Sequence, residues 1–108
     1  MASYLLQASY TPEALASLVK NPQNRSKVIH DLVEGLGGSV LGLWLAFGDY
    51  DVVVVADLPD SVSAAAMALA AAAGGSLRCT RTTALLSIEE GVAALKKAAA
   101  ARYTPVES

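Results

Sequence analysis

From Ser3 to Tyr10 the chain is rich in residues that favour extended backbone, Tyr4, Leu5 and Leu6 among them, and Thr11-Pro12 ends the run; a first strand is predicted there. Thr11 is placed to cap a helix beginning at Pro12, where a missing N–H costs nothing and Glu13 suits the positive end of the dipole. Leu15, Leu18 and Val19 form its apolar face. Asn21-Pro22 interrupts this helix, because the residue before a proline is pushed out of the α region. A second helix restarts beyond it. Val28, Ile29, Leu32, Val33 and Leu36 recur at three- and four-residue spacing as its buried side, with Arg25, Lys27, Asp31 and Glu34 mostly turned away. Gly37-Gly38 supplies a residue that tolerates positive φ where the helix must stop.

At Ser39 the period changes to two. Leu41, Leu43, Leu45 and Phe47 alternate with Val40, Gly42, Trp44 and Ala46, and since both sets are apolar the strand 39–47 is expected to be covered on both sides. Gly48-Asp49-Tyr50-Asp51 is a tight polar turn leading into a valine strand, Val52 to Leu58. Within it Gly48 can supply an unusual φ, Asp49 or Asp51 can bond nearby backbone amides, and Tyr50 can lie over the sheet end. Asp60 caps an alanine-rich helix that runs to Ala73 and closes on Gly74-Gly75. Ser76 to Leu86, threonine-rich with Arg78 and Arg81 interleaved, reads as a strand with one wet face or at an edge. Ser87-Ile88-Glu89-Glu90 has capping-box spacing and opens a last helix whose buried stripe is Ile88, Val92, Leu95 and Ala99.

This succession predicts an α+β chain: a ferredoxin-like βαββαβ antiparallel sheet with an extra C-terminal helix, the first and third strands side by side in the middle. A single domain is expected over residues 1–102, followed by a loose tail at 103–108. Helices cover only one face of such a sheet. On the other, Val40, Gly42, Trp44, Ala46 and half of the valine run are too apolar for permanent exposure, and two sheets packed face to face, as in the dimeric α/β barrels, would bury them.

The order Tyr10-Thr11-Pro12-Glu13, Arg25, Gly37-Gly38, Gly48-Asp49-Tyr50-Asp51 and Thr80 to Ala84 resembles the GYD domain family and spans nearly the whole core of the chain. The resemblance implies a ferredoxin-like domain of the dimeric α/β-barrel type, associating through its sheet, in a family with no assigned reaction to carry across.

Composition and charge narrow the partners. The apolar share of 54% exceeds the roughly 45–50% of ordinary soluble chains, which favours a homo-oligomer built through the sheet face. Formal net charge is −2, and Lys20, Arg25, Lys27, Arg78, Arg81, Lys96, Lys97 and Arg102 are scattered, so no phosphate-backbone footprint is present and nucleic acid is not an expected partner. The third strand also lacks the stacking aromatics of ferredoxin-like RNA-binding modules. The longest small-apolar run, Val62 to Ala73, is too short for the ~20 residues a bilayer requires, and Met1 to Tyr10 does not read as a secretion signal, so no membrane association and a cytoplasmic address are expected.

Few residues carry chemistry. Trp44 can stack on a flat ligand or fill a subunit interface, the interface being favoured. Gln7 and Ser9 on the first strand, with Arg78, Thr80 and Thr82 on the fourth, are assigned to the open face; a one-residue slip in register would reverse that. Tyr50 and Asp51 would offer a hydroxyl and a carboxylate at the mouth of a pocket. The candidate ligand-binding set is therefore Gln7, Ser9, Trp44, Tyr50, Asp51, Arg78 and Thr80, with no catalytic residue assigned. His30 and Glu34 lie one turn apart and predict a solvated pair, two ligands falling short of a zinc site. Cys79 is the only cysteine, which excludes an intrachain disulfide, and it is expected as a small core residue. Each double glycine ends a helix, whereas a phosphate cradle needs glycines leading into one. No metal and no cofactor are expected.

The favoured function is an oligomeric module with room for a small apolar or aromatic ligand on its open sheet face. The alternative is an enzyme of the dimeric α/β-barrel type, such as a cofactor-independent or haem-dependent monooxygenase. The haem-degrading members use an asparagine, a tryptophan and a histidine around the ligand; here the first strand carries Gln7, and His30 is on a helix flank.

Overall fold

The computed structural model describes residues 1–107, so Ser108, the end of the expected tail, lies outside the described residues. Four strands and four helices occur among them: β1 (Ala2–Tyr10), α1 (Pro12–Lys20), α2 (Ser26–Gly35), β2 (Ser39–Leu45), β3 (Val52–Leu58), α3 (Ser61–Ala73), β4 (Leu77–Leu85) and α4 (Ile88–Ala100). The strands form one antiparallel α+β sheet in the order β2-β3-β1-β4, with β1 and β3 in the middle as expected.

The local signals in the sequence act where they stand. The Thr11 side chain accepts a hydrogen bond from the Ala14 amide at 3.1 Å, and Pro12 occupies the first helical turn. Asp60 accepts from the Ser63 amide at 2.7 Å, and that bond holds its carboxyl below the usual carboxylate range. Ser87 and Glu90 close a complete capping box, each side chain bonded to the other residue's amide. Gly37 and Gly75 take φ of +84° and +81° just past the ends of α2 and α3, a region that side chains rarely enter. Gly48 does not: its φ is not positive and a Cβ there would meet open space.

The core lies between the helices and one face of the sheet. Val52, Val54, Ala56 and Leu58 of β3 and Tyr4 and Leu6 of β1 are buried against Val33 of α2 and Ala64 and Met67 of α3. Ile29, Leu32, Leu36, Val40 and Leu43 pack around them. Gly38 lets β2 start close to β3, since a Cβ there would overlap the Asp57 carbonyl oxygen and sit 2.7 Å from a Leu58 methyl.

Two irregularities decide which side chains face which way. Between Val40 and Gly42 the β2–β3 register shifts, so Leu41 is an extra residue on β2. Val40, Leu43 and Leu45 are thereby aligned with Ala56, Val54 and Val52 of the core face, and Gly42 and Trp44 with Val55 and Val53 of the open face. The expected split of Val40 from Leu43 and Leu45 is corrected by that bulge. The second shift lies between Ser9 and Tyr10, where Ser9 pairs with Cys79 and Tyr10 with Leu77, leaving Arg78 without an opposite number.

Burial corrects three further expectations. The strand expected to be covered on both sides exposes Leu45 by 83% and Phe47 completely. Val19 of α1 points to solvent while Leu18 is half-buried. The stripe of α4 is not buried: Ile88 is 82% and Leu95 70% exposed, because α4 leaves the end of β4 and runs clear of the body.

Leu58 is fully enclosed, so Leu58→Ala should cost about 2–5 kcal/mol, read as a lower midpoint in urea denaturation.

Candidate functional site

The open face of the sheet is ordered in rows by the strand pairing. One row runs Trp44, Val53, Gln7, Arg81 across the four strands, and the next runs Gly42, Val55, Leu5, Thr83. Beyond it Asp57 and Ser3 face each other, with the Ser3 hydroxyl donating to the Asp57 carboxylate. The face is therefore apolar across β2, β3 and part of β1 and polar towards β4. Trp44 is 56% exposed, and its indole lies over Gly42: a Cβ at 42 would sit 2.7 Å from Cζ3 of the ring. The missing side chain is what seats the indole flat on its own strand.

At one end of this face the β2–β3 loop is latched to β1. The Ser9 hydroxyl donates to the Asp49 carbonyl at 2.6 Å, the Tyr10 amide donates to the Asp51 carboxylate at 2.9 Å, and the Asp51 amide donates to the Ala8 carbonyl at 2.8 Å. Asp51 thus takes up the Tyr10 N–H at the place where the β1–β4 ladder shifts. Ser9 is 1% exposed and spends its hydroxyl on the same latch. The Gly48 to Asp51 tetrapeptide works through Asp51's side chain and Asp49's backbone.

The strand register separates the candidate residues. Gln7 and Trp44 share one row, and Ser9 lies in the adjacent one beside Cys79. Tyr50 and Asp51 belong to the loop at the Ser9 end. Thr80 and Thr82 pair with Ala8 and Leu6 and so face the helices, which reverses their expected assignment. Arg78 falls at the register shift, and the arginine in the Gln7 row is Arg81. Cys79, expected in the core, is exposed on the open face. The alternation Cys79, Arg81, Thr83 was visible in the chain, but nothing local distinguished it from Arg78, Thr80, Thr82; only the pairing with β1 does. His30 and Glu34 lie 3.7 Å apart on the outside of α2, about half exposed, the solvated pair their spacing predicts.

Two connected hollows lie on the helical side instead. One, of about 750 Å³, runs between the α1–α2 connection and the end of β2, lined by Leu18, Pro22, Leu43 and Leu45. The other, of about 400 Å³, separates α2 from α3 and is walled by Val28, Ile29, Leu32, Met67, Ala68 and Ala71. Tyr10, Arg25 and Ile29 border both. This groove was missed in the sequence because it arises from how far apart two helices land, which periodicity does not report. Among the described residues no group of three or more His, Cys, Asp or Glu side chains is arranged to hold a metal ion.

A stretch from residue 4 to residue 95, containing the latched loop and all of the sheet except the first two residues of β1, matches the GYD domain. The chain belongs to the GYD domain family. Within this GYD-family chain the Gly48 to Asp51 tetrapeptide closes the β2–β3 connection onto β1. The chain is also similar to a protein of Thermus thermophilus described as a glutamine synthetase and cystathionine beta-lyase binding protein. The two are 28% identical over 96 residues, covering 89% of this chain and 100% of that relative.

If the latch is the role of the GYD tetrapeptide, Asp51→Ala should cost about 1.5–3 kcal/mol, the range for a hydrogen bond to a charged group. Asp49→Ala, which keeps its backbone carbonyl, should change stability by less than about 0.5 kcal/mol. Parallel urea titrations of the two variants check the contrast.

Proposed function

We propose that this GYD-family chain is a protein-binding module of ferredoxin-like fold, a single domain over residues 1–102, that pairs through its open sheet face as the dimeric α/β barrels do. The observation that carries the reading is the uncovered apolar half of that face, Leu5, Gly42, Trp44, Val53 and Val55, side by side on three strands. Monomeric proteins rarely leave a contiguous apolar patch of this kind open, and a second sheet of the same twist is its natural complement. The Trp44 indole, laid flat and half covered from below, becomes the centre of the contact.

A protein-binding role is supported further by the similar Thermus thermophilus protein, whose description names two enzymes as what it binds. By that likeness an enzyme subunit, of the glutamine synthetase or cystathionine β-lyase class, is the partner of this chain. The row Trp44, Val53, Gln7, Arg81 places an aromatic surface, an amide and a guanidinium in one line, and this supports a second reading in which a small flat ligand is held between paired sheets.

Sedimentation of the full chain and of Val53→Lys and Trp44→Glu variants tests the pairing. The wild type should sediment at a multiple of its 11.1 kDa subunit mass, with blue-shifted Trp44 emission, and both variants at half the wild-type mass while retaining native circular dichroism. A wild type that stays at subunit mass at high concentration, its indole emitting as in water, overturns the reading. Titration with purified glutamine synthetase and cystathionine β-lyase should give saturable binding to one of them.

A further inference from the structure

A second exposed apolar surface of the molecule lies off the sheet. α4 carries Ile88, Val92 and Leu95 at 82%, 44% and 70% exposure on one side, and none of its residues is buried. A helix of 13 residues is marginal in water by itself, even with the good N-terminus that Ser87 and Glu90 provide. That box also draws the Glu90 carboxyl below its usual range, through the Ser87 amide. Something else must hold the helix.

The surface area says how much is left uncovered. The chain exposes 7764 Å², whereas a compact monomer of its mass exposes roughly 5,700 Å². The excess of roughly 2,000 Å² per chain exceeds the ~800 Å² per partner of a standard interface and is on the scale of obligate homodimers. The elongated shape, 56 Å along its longest axis, with a radius of gyration of 17.2 Å against about 13 Å for a compact chain of this length, has the same source.

A matching surface is present on the same chain. The hollow between α2 and α3 is apolar on both walls, and Val28 at its rim is 50% exposed. α3 has no charged residue on any side and leaves Val62 and Leu69 exposed at 78% and 69%; a helix apolar all round belongs in an interior. The lengths are comparable: residues 88–99 of α4 span roughly 18 Å and α2 roughly 15 Å. Among the residues lining the groove Arg25, at the N-terminal end of α2, carries the charge, and an α4 laid parallel brings Glu89 to that end. An exposed pair of this kind adds little stability, but it selects one direction of approach.

We propose that α4 is an arm exchanged between two copies of this chain, its Ile88, Val92 and Leu95 stripe lying in the groove between α2 and α3 of the other copy. A reciprocal exchange, each copy's arm in the other's groove, closes as a two-fold pair. It uses the helical side of the molecule and is independent of pairing through the sheet. A chain with both contacts assembles beyond a dimer, and one with either contact alone stops at two.

Cysteine cross-linking tests the exchange. In a Cys79→Ser background, one full-length chain carries Val92→Cys and a second, mass-tagged chain carries Ala70→Cys, a groove residue exposed on α3. Mixed and oxidised, the two should give a disulfide-linked heterodimer as the main product, at least tenfold above either homodimer. Adding Leu95→Glu to the first chain should reduce it at least fivefold. The same yields are expected in a Val53→Lys background, where sheet pairing is disabled. Absence of the heterodimer overturns the exchange, and so does a chain carrying both cysteines that links only within itself. Loss of cross-linking only in the Val53→Lys background would show that α4 follows the sheet contact, which also overturns the exchange as an independent interface.

Discussion

One side of a four-stranded sheet can be covered by the helices that its own connections supply, and the other cannot. The rest of this molecule follows from that constraint. The side facing α2 and α3 holds Ala56 and Leu58, fully buried against Val33 of α2. The other side holds Leu5, Gly42, Val53 and Val55, half-buried, and Trp44, exposed. Each enclosed aliphatic side chain contributes about 1.5–3 kcal/mol by leaving water. In the proposed assembly the open-face residues would make that contribution too, and the stability of the fold would then depend on the pairing.

The GYD tetrapeptide belongs to the scaffold of that surface. A turn between β2 and β3 could hang free at the sheet end; here Ser9, Ala8 and Tyr10 of the neighbouring β1 hold it by three hydrogen bonds. The Asp51 carboxylate satisfies a backbone donor just where the β1–β4 ladder loses register. A loop so tied fixes the ends of β2 and β3, and with them the row in which Trp44 lies. A signature can thus be structural at its own position and still decide the geometry of a contact several residues away.

Apolar surface in excess of what one sheet and two helices can bury recurs at α3 and α4. α3, with no charged side chain, and α4, standing clear of the body, are poor surface helices for an isolated chain. In an assembly they become ordinary interior elements.

The chain by itself determined its elements, because caps, prolines, glycines and hydrophobic period act within a few residues: Thr11, Asp60, and Ser87 with Glu90 cap the helices expected of them, and the βαββαβ succession follows. It also marked the Gly48 to Asp51 turn and the apolar surplus. Which residues share a face was decided only by tertiary pairing. The extra residue at Leu41 moved Val40 into the core, and the β1–β4 register put Arg81 rather than Arg78 opposite Gln7. A strand alternates with a period of two, so a single inserted residue inverts every assignment beyond it, and the insertion is visible only from the partner strand. The α4 stripe shows the same limit: its spacing says that it must be buried, and only the path of the chain shows that its own body does not reach it.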